Sequence, residues 1–309
     1  MPEARRTDVV LLLVALVWGS SYLTAKSAAE AAPVLVVLFL RYLLSTLAGI
    51  PVVFATTLRT RPRWTRQEVR IGALLGLSQA AVLLLEMYGV AHTSAANAGL
   101  LISLTLVITP LLDRTGGGRM PARFFLAAGL CVLAVGLLTS GHGLGAPGVG
   151  DLLILAAAVV RAAHVALVGR LTTGRALRPL QLTAIQTSVG SMLFLTPAAA
   201  DLDVLAGADG ATWLQLAYLA LFCSLFAFLA QTWAVQRTSA SRASLLLGTE
   251  PVWAVAIGLA LGGEHLTAFT TLGALLMVTG TYWGQAIERV HRTRTKENTT
   301  CLTTTPTAV

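Results

Sequence analysis

The sequence is poor in charge. Of its 309 residues 12% are charged and 55% are hydrophobic, against a charged share of about 25% in soluble domains. So few charges cannot cover the surface of a water-soluble protein of this length. Lysine is nearly missing. Lys26 and Lys296 are the two present, and neither follows a Gly-rich loop, which excludes a Walker-type nucleotide site. "GGG" at 116–118 and "GHGLGAPGVG" at 141–150 lack a strand-turn-helix setting and read as flexible joins. Cysteine is sparse: Cys131 and Cys223 fall within apolar stretches and Cys301 lies in a polar tail, so no disulfide framework is present. The five histidines show no HExxH or paired spacing for a metal. No nucleophile elbow or Ser-His-Asp signature occurs, and no segment between apolar runs exceeds about 22 residues, too short for a soluble catalytic domain. Neither an enzyme nor a bound cofactor is expected.

What is abundant is apolar sequence in blocks. Ten runs stand out, at 8–27, 33–55, 70–91, 94–113, 121–140, 151–171, 179–199, 212–235, 241–262 and 267–287. A membrane span needs about 20 such residues. The seventh run, with Gln181, Thr183, Gln186 and Thr187, is the most polar. The pattern predicts a polytopic helical membrane protein.

The net charge of +8 is explained by where the basic residues fall. Arg5 and Arg6 precede the first run, and Arg59, Arg61, Arg63, Arg66 and Arg70 follow the second. Further arginines lie between runs four and five, six and seven, and eight and nine, and after the tenth. The intervening joins have none and include Asp201, Asp203 and Asp209. Alternation of this kind is the positive-inside bias, with both termini in the cytoplasm. It speaks for a bilayer and against nucleic acid as the partner. Arg5-Arg6 with "SAAEAA" (27–32) imitates a cleavable signal, but the alternation requires the first run to stay. "NTT" at 298–300 falls on the wrong side for glycosylation. The Thr-rich end, 288–309, is expected to be a disordered cytoplasmic tail.

"TSAANAGLL" (93–101) and "TSASRASLL" (238–246) are nearly the same string, 145 residues apart. Extended backwards, "LLEMYGVAHTSAANAGLL" matches "LAQTWAVQRTSASRASLL" at eight of 18 positions. Shifts of 143 to 145 also align Asp8 with Asp151, Gly129 with Gly273 and Gly136 with Gly280. The chain therefore divides into two five-run halves, 8–140 and 150–287. Five is odd, so the second half enters the membrane upside down. An inverted repeat of this kind recurs in secondary transporters.

"VWGSSYLTAK" (17–26), "FLRYLLS" (39–45), the "TSAANA" join and "EPVWAVAIGLALGGEHLTAFTTLGALLMVTG" (250–280) together resemble the drug/metabolite transporter superfamily, EamA type, over nearly the whole chain. The resemblance implies an all-α integral membrane fold of ten helices in two inverted repeats. It further implies a central cavity, small-metabolite substrates, often exported, and a place in the cytoplasmic membrane. Three departures stand out. Leu106 replaces a proline frequent in the fourth span, whose proline comes later as Pro110. Met120 aligns with Glu264 of the Gly263-Glu264 pair. Arg161 aligns with Trp18, where the family usually has an aromatic in both halves.

An ionisable group within hydrocarbon is expensive and needs a reason. Lys26, at a span end, snorkels. Arg41 and Glu86 lie about 12 and 9 Å below the outer face, and Arg161 and Glu250 near the midplane at about 15 Å, by helix rise. Equal depth suggests two pairs. Arg161–Glu250 reads as a cavity wall, with Arg161 for a substrate carboxylate or phosphate and Glu250 for an amine or a coupling proton; the competing reading is a closed salt bridge between helices. Arg41–Glu86, nearer the surface, reads as a gating or structural ion pair. Trp18, Tyr88 and Trp233 are candidate substrate-facing aromatics, or else packing and interfacial residues. Pro110 and Pro251 are candidate helix breaks, Gly72/Gly76 and Gly258/Gly262 packing faces, and His164 a relay or a seam residue. The expected activity is secondary transport of a small polar metabolite by alternating access, as proton-coupled or facilitated export of an amino acid or related compound. Two rivals are a carrier or flippase of lipid-linked sugars and a membrane-embedded enzyme, which would need clustered carboxylates or histidines at one depth.

Overall fold

In the computed structural model the described residues are 3–60, 64–112, 121–139, 147–172, 174–237, 243, 246–265 and 267–303. Among them every regular element is a helix. The chain runs α1 (Glu3–Ala31), α2 (Val34–Thr60), α3 (Arg66–Val90), α4 (Ala95–Ile102), α5 (Thr105–Leu112) and α6 (Ala122–Thr139). It continues with α7 (Val149–Thr172), α8 (Pro179–Ala198), a 3-10 turn (Ala199–Gly207) and α9 (Gly210–Ala220). A π-helical segment (Leu221–Phe226), α10 (Ala227–Arg237), α11 (Glu250–Leu261) and α12 (Ala268–Thr303) complete it.

Among the described residues seven helical stretches are long and apolar enough to cross a membrane. Two shorter apolar helices, Ala122–Leu138 and Glu250–Leu261, and the first part of α12 occupy the fifth, ninth and tenth runs. In hydrocarbon each backbone donor and acceptor needs an internal partner, and a helix supplies one for all but its ends. The ends are capped where the sequence supplies the residues. Thr65 accepts from Glu68 N while the Glu68 carboxylate accepts from Thr65 N, a capping box. Ser94 accepts from Asn97 N at 3.0 Å, and Asp209 from Thr212 N at 2.8 Å. That last bond, outside the apolar run, holds the Asp209 carboxyl below its ordinary range. Phe125, Leu126, Val132 and Leu133 on α6 and Leu272 and Leu275 on α12 are exposed, a surface suited to lipid rather than water.

The helix α12 runs on to Thr303, through most of the segment expected to be a disordered tail. No Gly or Pro occurs between Gly284 and Pro306, so nothing local stops the helix after the last apolar turn.

The two halves exchange contacts as a two-fold relation demands. α1 packs on α11, and its counterpart α7 on α4 and α5; α3 packs on α7 and α8, and its counterpart α9–α10 on α1 and α2. Counterparts also pair directly, α2 with α8 and α6 with α12, while α4 packs on α11, the counterpart of α5. Their directions fix the axis. Gly273 lies against Leu138 and Ala134, Gly280 against Cys131 and Ala127, and Gly284 against Ala127 and Phe124, so α6 and α12 run antiparallel. Gly99 meets Ala254 while Gly258 meets Ala96, so α4 and α11 do too. Counterparts that pack antiparallel are related by an axis across the helices; an axis along them would leave the pair parallel. The repeat is inverted.

Candidate functional site

The fourth and ninth runs are both interrupted, at matching places. α4 gives way to α5 at Ser103–Leu104, where Leu106 N bonds to Ser103 O and Val107 N to Leu104 O in tightened i→i+3 turns. In the ninth run a turn at 248–249 precedes α11. The two breaks are 145 residues apart, the repeat shift itself. Pro251 opens α11 in its first turn, as expected of a break there. Pro110 does not break its helix: it sits inside α5, beyond the interruption.

Around these breaks the buried charges collect on Arg161 of α7. Its Nη2 donates to Glu250 Oε2 at 2.7 Å and its Nη1 to Glu250 Oε1 at 3.0 Å. The paired geometry is the rigid fork that guanidinium offers a carboxylate. Tyr22 of α1 donates its hydroxyl to the same Oε1 and accepts from Arg161 Nη1 at 3.3 Å. Trp18, one turn earlier, presents its ring face 4.5 Å from the guanidinium carbon. Glu250 stands in the first turn of α11, where the helix dipole favours an anion.

Glu86 also turns toward Arg161, at 3.5 Å. Its Oε1 is buried and has no hydrogen-bond partner. Arg41 does not pair with it, contrary to expectation. Arg41 Nε donates to Ser224 Oγ at 2.6 Å and its Nη2 to Cys223 O at 3.4 Å. Both acceptors belong to the π-helical segment, which also receives Trp18 Nε1 on Cys223 O at 3.0 Å, while Ser45 Oγ donates to Ala220 O, the residue just before it, at 2.8 Å. A π turn leaves carbonyls unmatched in the helix register, and such turns often mark functional sites. Helix rise bears on the depth of Arg41 and Glu86 alone and carries no information about their bearing around the helix axes.

Two small cavities flank the Arg161–Glu250 pair. One, of about 20 Å³, has polar walls that include Arg41, Gln79, Glu86 and His164. The other, of about 30 Å³, has mostly apolar walls. Each has room for about one or two waters. Arg161, Glu250 and Gln231 line both. The wall residues are largely two-fold mates: Trp18 with Arg161, Glu86 with Gln231, Thr105 with Glu250, Leu106 with Pro251. Residues that exchange under a two-fold and still share one cavity must lie beside the axis, so the cavities are central.

The model of the EamA-like transporter family matches residues 5–140 and again 148–283. The chain belongs to the EamA-like transporter family. An uncharacterized transporter of Archaeoglobus fulgidus is 24% identical over 271 residues, covering 88% of this chain and 83% of the relative. A solved crystal structure shares the fold with a TM-score of 0.63 at 18% identity, over 93% of this chain and 98% of the other.

Within the EamA repeats, Trp18, Arg161 and Glu250 come together, and Glu86 joins them. Tyr88 and Trp233 do not line either cavity. Tyr88 is two residues past Glu86, about 200° around an α-helix, and Trp233 stands likewise to Gln231; the Trp233 ring lies 4.7 Å under the guanidinium of Arg237. The missed residues obey the same period. Tyr22 is four after Trp18 and Gln79 seven before Glu86, just as His164, already a candidate, is three after Arg161. His164 Nδ1 is paired with Ser78 Oγ at 2.8 Å, so it is a seam residue at the cavity wall.

Glu264, the acid without a counterpart in the first repeat, has a different task. Its carboxylate accepts from Ala95 N at 2.7 Å and Ala96 N at 3.0 Å, at the start of α4. Gly258 leaves the space: a Cβ there would lie 2.8 Å from Glu264 Oε2. Asp151 adds bonds to Thr93 Oγ1 at 2.8 Å and Asn97 Nδ2 at 2.9 Å. The first copy of the repeated string is thus clamped by two acids of the second half.

Proposed function

We propose that this EamA-family protein is a secondary-active exporter of small zwitterionic metabolites, amino acids and their derivatives, working by alternating access. The Arg-rich connections and both termini lie in the cytoplasm, and the membrane is the plasma membrane. The observation that carries the reading is the axial polar cavity, where Arg41, Arg161, Glu86 and Glu250 face one small space. Two cations and two anions around one volume match a ligand bearing one of each.

In the mechanism a substrate carboxylate takes over the guanidinium fork of Arg161 that Glu250 occupies. The substrate ammonium meets Glu86, whose Oε1 is free of hydrogen bonds; when no substrate is present the same oxygen accepts the coupling proton. Trp18 covers the guanidinium face and limits its alternatives. The two halves then rock about the axis, and the paired helix breaks at 103–104 and 248–249 absorb the change.

The test is counterflow in proteoliposomes with a labelled amino-acid panel. Arg161→Ala and Glu250→Gln are each expected to lower counterflow about 100-fold, the effect of removing one partner of a buried charge contact. Unchanged transport in both variants removes the ion pair from the cycle. Failure of every water-soluble amino acid, with transfer of a lipid-linked sugar instead, selects the rival carrier.

A further inference from the structure

The chamber on the far side of the ion pair has walls of another chemistry. Ile102 and Leu106 close it from the fourth run, Val165 from α7, and Leu247 and Pro251 from the ninth. Ser103 and Thr105 add its few polar atoms besides Arg161, Glu250 and Gln231. Thr105 Oγ1 is already committed to Ala158 O at 3.2 Å and Ser103 Oγ to Leu100 O at 2.6 Å, so neither hydroxyl's proton is available to a ligand. On α7, Val165 is one turn beyond Arg161, and on the ninth run Leu247 is one turn before Pro251. The chamber therefore extends from the charged septum toward the Arg-rich face.

Building on the amino-acid reading, we propose that this chamber is the side-chain subsite. The substrate is an α-amino acid with a sizeable apolar side chain, such as leucine, methionine or phenylalanine. The charged head group stays with Arg161 and Glu86 in the polar cavity, and the side chain crosses the septum. Three observations favour this division. The two spaces share Arg161, Glu250 and Gln231, so a ligand that displaces Glu250 from the guanidinium joins them. With Ser103 and Thr105 donating elsewhere and Arg161 and Glu250 engaged at the septum, the mostly apolar walls offer a hydroxyl, amide or charged side chain few partners besides Gln231, a desolvation cost that discriminates against it. Both helix breaks border the chamber, through Ser103 and Thr105 on one side and Glu250 and Pro251 on the other, so it widens when the fourth and ninth runs bend.

The full-length protein in liposomes preloaded with unlabelled amino acid tests this by counterflow of labelled leucine, methionine, alanine, glycine, serine and aspartate. Leucine and methionine are expected to exceed glycine, serine and aspartate roughly 10-fold or more in kcat/KM. Val165→Phe fills the chamber and is expected to lower the leucine-to-alanine ratio roughly 10-fold. Should that variant not fold, the ranking in the unaltered protein decides alone. Equal counterflow of leucine and glycine overturns the subsite while leaving the amino-acid reading in place. Absence of counterflow with every amino acid overturns both.

Discussion

Arg161 has two acids within reach and commits to one. Glu250 receives the bidentate fork and the Tyr22 hydroxyl, whereas Glu86 waits at 3.5 Å. Removing one partner of a buried ion pair ordinarily costs about 3–5 kcal/mol, because the other charge is stranded. Here a reserve partner exists. Glu250→Gln and Glu86→Gln are each expected to cost under about 2 kcal/mol, while the double variant strands the guanidinium and costs at least about 3. A double-mutant cycle on thermal unfolding in detergent measures the coupling; simple additivity would mean that Glu86 does not take over. The charges themselves were legible in the sequence, since hydrocarbon makes each one costly. Their partners were not, because helix rise fixes depth and says nothing of azimuth. Trp18 with Tyr22, and Glu86 with Gln79, would have emerged from requiring one helical face; that requirement also sets Tyr88 and Trp233 aside.

Elements meet along small residues, but unequally in the two repeats. Gly280 of α12 packs so closely on α6 that a Cβ would lie 2.7 Å from Cys131 Sγ, while Gly136, its counterpart by the repeat, has no such neighbour within 4 Å. Gly280→Leu is expected to cost about 3 kcal/mol or more by overpacking, and Gly136→Leu close to none. Monodispersity and melting temperature in detergent distinguish them; equal losses would contradict the antiparallel α6–α12 interface. Gly72 and Gly76, expected as a packing face, do press on α8, against Ile185 and against Gln186 and Val189. The helix breaks were half legible. Pro251 marks its own, since the missing N–H suits the first turn. The break at Ser103–Leu104 carries no Gly or Pro, and its shortened turns come from packing beside the cavity, to which sequence punctuation is blind.

The whole molecule is an inverted pair that is not quite symmetric, and the asymmetry bears on which state is favoured. On the Arg-poor face, outer in the proposed orientation, Glu264 ties the tenth-run join to the α4 N-terminus with two charge-assisted bonds. By the repeat its counterpart is Met120, which offers no carboxylate to the opposite face. In the proposed cycle the outer closure therefore has a clasp that the sequence does not duplicate inside, and the expected outcome is a resting protein biased toward outer-closed. Bonds of a charged acceptor contribute about 1.5–3 kcal/mol each when removed, and every 1.4 kcal/mol is a tenfold shift in populations. Glu264→Gln retains one acceptor oxygen, so it is expected to raise the outward-open population about 10-fold. The readout is a cysteine placed at Ser21, on the wall of the polar cavity across the septum from the Arg-rich face, in a background lacking Cys131, Cys223 and Cys301, labelled from outside with an impermeant thiol reagent. Its labelling rate should rise by that factor in Glu264→Gln and return toward the starting value when substrate draws the cycle inward. A rate indifferent to Glu264 would show that the clasp caps a helix without holding a gate. The inverted repeat, written twice in the sequence, would then supply both faces, with no built-in preference between them.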